Sequence, residues 1–180
     1  MEPRLPPIPR ADWDEETQAL LGDRDTINIF GTLAHHPKLM KRWLVFGNHV
    51  LAKSTLPARD RELLILRTGW NCRSPYEWGQ HVAIGRAVGV TDDDILRLTE
   101  GPDAAGWTEF EATLVRAADE LHADQSLSDA TYAALARNYN AQQLLDTVFT
   151  VGQYHLVSMV LNSARVERDD GVTGVPIPER

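Results

Sequence analysis

The chain has 180 residues, a formal net charge of −8, six histidines and one cysteine, Cys72. A chain of this length buries about 70% of its unfolded surface as one domain, and its negative charge leaves no electrostatic case for nucleic acid or an anionic membrane. A single cysteine excludes an intrachain disulfide and any cysteine-rich zinc site.

Residues 1–12 carry Pro3, Pro6, Pro7 and Pro9, which predicts an extended arm. Such arms pack on a neighbouring subunit or remain loose. The opening MEPRLPPIPR has no apolar core of signal type. The longest aliphatic run, Leu63 to Leu66, is far short of the ~18 residues a bilayer span needs. A cytoplasmic location is expected.

Period-two alternation is nearly absent, so the chain is expected to be all-α, a bundle of about eight helices. The first main helix is predicted over 26–36, stopped by Pro37. The second covers 38–53, with Leu39, Trp43, Phe46 and Val50 on one face. A turn at Ser54 to Pro57 leads into a third helix over 58–71, apolar on nearly all sides and therefore buried all round. Ser74 starts a fourth, ending near Gly89, the residue type of a left-handed cap. Thr91-Asp92-Asp93-Asp94 opens a short fifth, its acids placed for the helix dipole.

Helices follow over 107–123, 128–139 and 141–166. Thr108 and Glu111 form a capping box for the first of them. The last is apolar on several faces, through Leu144, Leu145, Val148, Phe149, Leu156, Met159 and Val160 among others. Burying it calls for more than one packing partner, and self-association into at least a dimer is expected. Residues 170–180 are expected to form a similar tail.

The segment 62–81, ELLILRTGWNCRSPYEWGQH, carries the chemistry. Glu62 lies among leucines and isoleucine, so its carboxylate is desolvated, which suits it to general acid or base work. Gly69, two turns on, leaves room above it. Ser74, Pro75 and Glu77 match a helix start, with Ser at the cap and Glu reaching back to the cap amide. The same start exposes backbone N–H groups that can receive a substrate carboxylate. His81 lies one turn after Glu77 on the same face, and a carboxylate beside an imidazole makes a usable acid–base pair. Trp70, Tyr76 and Trp78 surround this region as core or as pocket wall. On the last helix, Tyr154 is adjacent to His155, which heads a polar stripe with Ser158 and Asn162, matched either to a pocket or to a subunit interface. Without HExxH or a second histidine at helical spacing, no metal and no cofactor is expected.

The spacing Glu62-x11-Ser74-x2-Glu77-x3-His81 resembles the frame E-x11-C-x2-C-x3-H of the carboxymuconolactone decarboxylase and alkyl hydroperoxidase D-like superfamily. The resemblance is strongest over residues 55–95, TLPARDRELLILRTGWNCRSPYEWGQHVAIGRAVGVTDDDI. It continues loosely from NIFGTLAHHP to GQYHLVSMVLN. It implies an all-helical fold, assembly into dimers, trimers or hexamers, and sites near subunit contacts. It also implies that Glu62 and His81 transfer protons. Both cysteines of the frame are replaced here, by Ser74 and Glu77, and Cys72 lies outside it. A thiol peroxidase needs a nucleophilic thiolate and a resolving partner. The decarboxylase branch, which needs no dithiol, is the better fit.

The expected activity is therefore cofactor-independent decarboxylation or isomerisation of a small carboxylated substrate. Glu62 and His81 would move protons, Glu77 would assist His81, and Ser74, Trp70, Tyr76, Trp78, Tyr154 and His155 would bind. His81→Ala is expected to abolish turnover with the thermal transition nearly intact. The alternatives are a peroxidase using Cys72 alone and a non-enzymatic oligomeric binding protein.

Overall fold

A computed structural model describes residues 2–22, 27–169 and 176–178. Among these residues there is no strand. There is a 3-10 turn, Arg10–Asp12, and nine α-helices: Glu15–Leu21 (α1), Asn28–Leu33 (α2), Pro37–Ala52 (α3), Ala58–Asn71 (α4), Pro75–Ala87 (α5), Asp92–Glu100 (α6), Glu109–Ala123 (α7), Asp129–Ala136 (α8) and Ala141–Ala164 (α9). The helices expected from periodicity are all present. Helix α1 was not expected; its signal is Asp14, whose carboxylate caps the Thr17 amide, followed by two acids in the first turn.

Helix α4 is the axis of the bundle. Every residue from Glu62 to Gly69 is buried, because α5, α6, α7 and α9 enclose it. Leu63, Leu64, Leu66, Trp78, Leu98, Leu114 and Leu135 fill the largest cluster. Arg67 crosses this core with its charge matched: it donates to both Asp119 oxygens, at 2.6 and 2.9 Å, and to the Leu98 carbonyl. One guanidinium thus ties α4 to α6 and α7, and its geometry is the bidentate kind that compensates burial.

Helix ends follow their chemistry in most places. Capping boxes form at Thr91–Asp94, Thr108–Glu111 and Asn140–Gln143. Gly89, at φ +91°, closes α5 as its residue type predicts. The expected box at Ser74 and Glu77 does not form. Arg73 adopts the left-handed conformation that ends α4, and the Ser74 amide donates back to the Gly69 carbonyl at 3.0 Å. The amide Glu77 would have bonded is already used.

The N-terminal arm packs on its own chain. Arg4 and Leu5 amides donate to the Ala164 carbonyl, and Ile8 to that of Gly31. A Cβ at Gly31 would sit 2.6 Å from Pro7, so only glycine lets the arm pass over α2. Of the predicted C-terminal tail, only 176–178 lie within the described residues. There the Pro176 carbonyl accepts from the Trp78 indole at 2.7 Å.

Helix α9 is long and apolar enough, by length and composition, to cross a membrane. In the bundle one face of it packs along α3, α4, α5, α7 and α8. Its outer face leaves Leu145, Phe149, Leu156 and Met159 exposed, and Phe149 meets Phe46 of α3 edge-on at 6.0 Å between ring centroids.

Candidate active site

Helices α4 and α5 approach closely at Gly69, where an added Cβ would touch the Trp78 amide and the Glu77 side chain. These contacts, at 3.5–3.8 Å, are ordinary ones, and the space beside Gly69 is bounded by Trp78 and Glu77 rather than left as room above Glu62. The close approach brings Glu62 of α4 against His81 of α5.

His81 is held between two carboxylates. Its Nδ1 lies 2.6 Å from Glu62 Oε2, and its Nε2 lies 3.1 Å from Glu77 Oε1. Glu62 is fully buried, and its other oxygen takes Arg61 Nε at 3.3 Å. Burial by itself would strip the proton from His81. The two carboxylates outweigh that cost and raise its pKa to about 9. At neutral pH the ring is an imidazolium donating on both sides. Tyr154 packs edge-on against it, 4.8 Å between centroids, and burial pushes the Tyr154 phenol well above its ordinary value.

Glu77 and His81 open onto a cavity of about 150 Å³ between α2, α3, α5 and α9. Its walls are mainly apolar, from Ile29, Phe30, Leu44 and Val157, with Tyr76, Gln80, Gln153 and Tyr154 supplying polar groups. Tyr76 donates to Asp169 at 2.5 Å and accepts from the Ile29 amide, and Gln80 donates to the same Asp169. Two buried polar atoms of cavity residues have no hydrogen-bond partner, the Trp43 indole N–H and Gln153 Oε1. Buried polar groups are ordinarily paired, and these two have no partner among the described residues.

The predicted site residues therefore divide. Glu62, Glu77 and His81 converge, and Tyr76 and Tyr154 line the cavity beside them. Ser74, Trp70, Trp78 and His155 do not line it. Ser74 is fully buried and its hydroxyl has no partner, so it offers a substrate nothing. Trp70 and Trp78 pack on each other within the main core, 5.1 Å between centroids. His155 turns to His122 and Cys72 on α7 and at the end of α4. Trp43 and Gln153 were not expected in the site. Their one sequence signal is Gly47, one turn after Trp43; in the fold a Cβ there would meet both side chains at 3.5 Å.

An all-helical bundle with a carboxylate–imidazolium–carboxylate relay at a small cavity defines the class as an alkyl hydroperoxidase D-like fold. Residues 37–120 match the model of the carboxymuconolactone decarboxylase family. A peroxidase-related protein of Ralstonia eutropha with an alkylhydroperoxidase core superposes with a TM-score of 0.80 at 16% identity, over 94% of this chain and 95% of its own. A peroxidase-related protein of Silicibacter gives 0.80 at 16%, over 94% and 93%. A cysteine-to-alanine variant of the debrominase Bmp8, in complex with 2,3,4-tribromopyrrole, gives 0.73 at 15%, over 94% and 93%. At these identities the likeness is one of fold. No match is found among curated proteins.

Proposed function

We propose that the protein is a cofactor-independent acid–base enzyme acting on a small carboxylated substrate, a decarboxylase or isomerase. The observation that carries this is the buried Glu62–His81–Glu77 relay, of which His81 and Glu77 face the cavity. An incoming carboxylate takes the place of Glu77 at the Nε2–H of His81, while Glu62 keeps the ring oriented through Nδ1. In decarboxylation the electron pair left by departing carbon dioxide takes the Nε2 proton, and the neutral ring regains a proton from solvent water. In isomerisation Glu77 removes one proton and His81 returns another. The Trp43 N–H and Gln153 Oε1 orient the substrate's other polar atoms. With Ser74 buried, the carboxylate-binding role passes from the helix start to His81.

The single-cysteine peroxidase has an observation against it. Burial pushes the Cys72 thiol up to about 11, and a protonated thiol is a poor nucleophile. We place the working form in the cytoplasm as a homo-oligomer, with a second copy covering the exposed apolar faces of α3 and α9.

A panel of small unsaturated lactone carboxylates, followed for carbon dioxide release and for deuterium uptake from solvent, tests the proposal. Turnover by the native chain, lost in Glu77→Gln, is the expected result. An unchanged rate in Glu77→Gln overturns the assigned chemistry.

A further inference from the structure

We propose that Cys72, His122 and His155 form a binding site for a thiophilic divalent cation, best matched by zinc, with one coordination position open to solvent. The three residues come from the end of α4, the last turn of α7 and the middle of α9, and they are distinct from the cavity at His81. His122 Nδ1 lies 2.8 Å from His155 Nε2 and 3.9 Å from Cys72 Sγ, and all three ligand atoms fall within 4.8 Å of one another. A tetrahedral zinc ion with its usual bond lengths separates such atoms by about 3.3–3.6 Å. Side-chain shifts on the order of 1 Å therefore turn the cluster into a ligand set.

Several features prepare the cluster for a metal. Thiolate and imidazole are the donors zinc prefers. Each imidazole offers a ring nitrogen to the cluster, and neutral imidazole is the ligating form. The Asn162 amide donates to the Cys72 carbonyl at 2.9 Å, fixing the residue that presents the thiol. The buried Ser158 hydroxyl faces the same sulfur and has no other partner. A thiolate formed by metal binding would give that hydroxyl an acceptor, the outer-shell arrangement that sustains metal sites.

The proton balance is simple. The His122–His155 bond holds one N–H proton between Nδ1 and Nε2, and this proton moves to a non-ligating ring nitrogen by tautomer exchange. The Cys72 thiol proton is released as the sulfur–metal bond forms. One proton leaves per ion bound, and no oxidant or reductant is needed.

Cobalt(II) added to the metal-free full-length chain reads the site directly. One equivalent is expected to give a thiolate-to-cobalt charge-transfer band with the intense visible bands of a tetrahedral site, and zinc is expected to abolish both. Cys72→Ser should remove the charge-transfer band. His122→Ala should weaken cobalt binding by more than the roughly 100-fold that loss of an outer-shell partner costs. His122 is exposed, so its substitution keeps the test decisive if Cys72→Ser fails to fold. Octahedral cobalt spectra without a thiolate band, or affinity unchanged in His122→Ala, overturn the proposal.

Discussion

Glu62 and His81, nineteen residues apart and on different helices, meet at 2.6 Å in a place where the carboxylate has no access to solvent. Neither residue is at ease there alone. A buried carboxylate without a cation, or a buried imidazolium without an anion, costs several kcal/mol. The same pair that would move a proton in catalysis is therefore also part of what holds α4 against α5.

It follows that His81→Ala damages more than activity. The sequence alone pointed to an intact thermal transition. With Glu62 stripped of its main counter-charge, a loss of about 3–5 kcal/mol is expected instead, read from denaturant unfolding. Only a change under about 1 kcal/mol would fit a His81 that Glu62 does not depend on.

Stability should fall on the alkaline side. The folded-state pKa of His81, about 9, is above the 6.5 of a free histidine. Its contribution is complete below pH 6.5 and disappears as pH rises through about 9, an effect on the order of 3 kcal/mol. Melting temperatures between pH 6 and 10 check this. A profile equally steep in Glu62→Gln would assign the loss to another group.

Ser74→Ala distinguishes a capping serine from a buried idle one. Removing a true cap costs about 0.5–2 kcal/mol. Removing a buried hydroxyl with no partner should stabilise by about 1 kcal/mol, seen as a higher unfolding midpoint with unchanged slope.

Arg67→Met should be tolerated poorly, with a loss of about 3–5 kcal/mol, because Asp119 and the Leu98 carbonyl are left without their shared donor. The double variant Arg67→Met with Asp119→Leu should recover part of the loss. A double-mutant cycle that comes out additive would contradict the coupling.

The exposed apolar face makes its own prediction. Phe149→Glu, on the outer side of α9 beside Phe46, should lower the mass measured by sedimentation equilibrium to that of a single chain. An unchanged mass would show that this face holds no second copy.

Much of the architecture could be read before any coordinates. Periodicity placed α2 to α9 in order because each carries an apolar stripe or, in α4, apolar residues on every side. The frame from Glu62 to His81 located the relay because its members sit at helical spacings within one continuous segment. Helix α1 escaped notice because seven residues are too few for a periodic pattern to stand out.

What local sequence could not decide was competition between partners. Ser74 and Glu77 satisfy every rule for a capping box, yet the tertiary structure gives the cap amide to Gly69 and the Glu77 carboxylate to His81. A charge-assisted bond to an imidazolium is stronger than one to a backbone amide, and only the approach of α4 to α5 makes that imidazolium. The same holds for His155, Trp43 and Gln153. Spacing along one helix says which face a side chain shares, whereas Cys72 and His122, or the cavity at His81, are brought to that face by other helices.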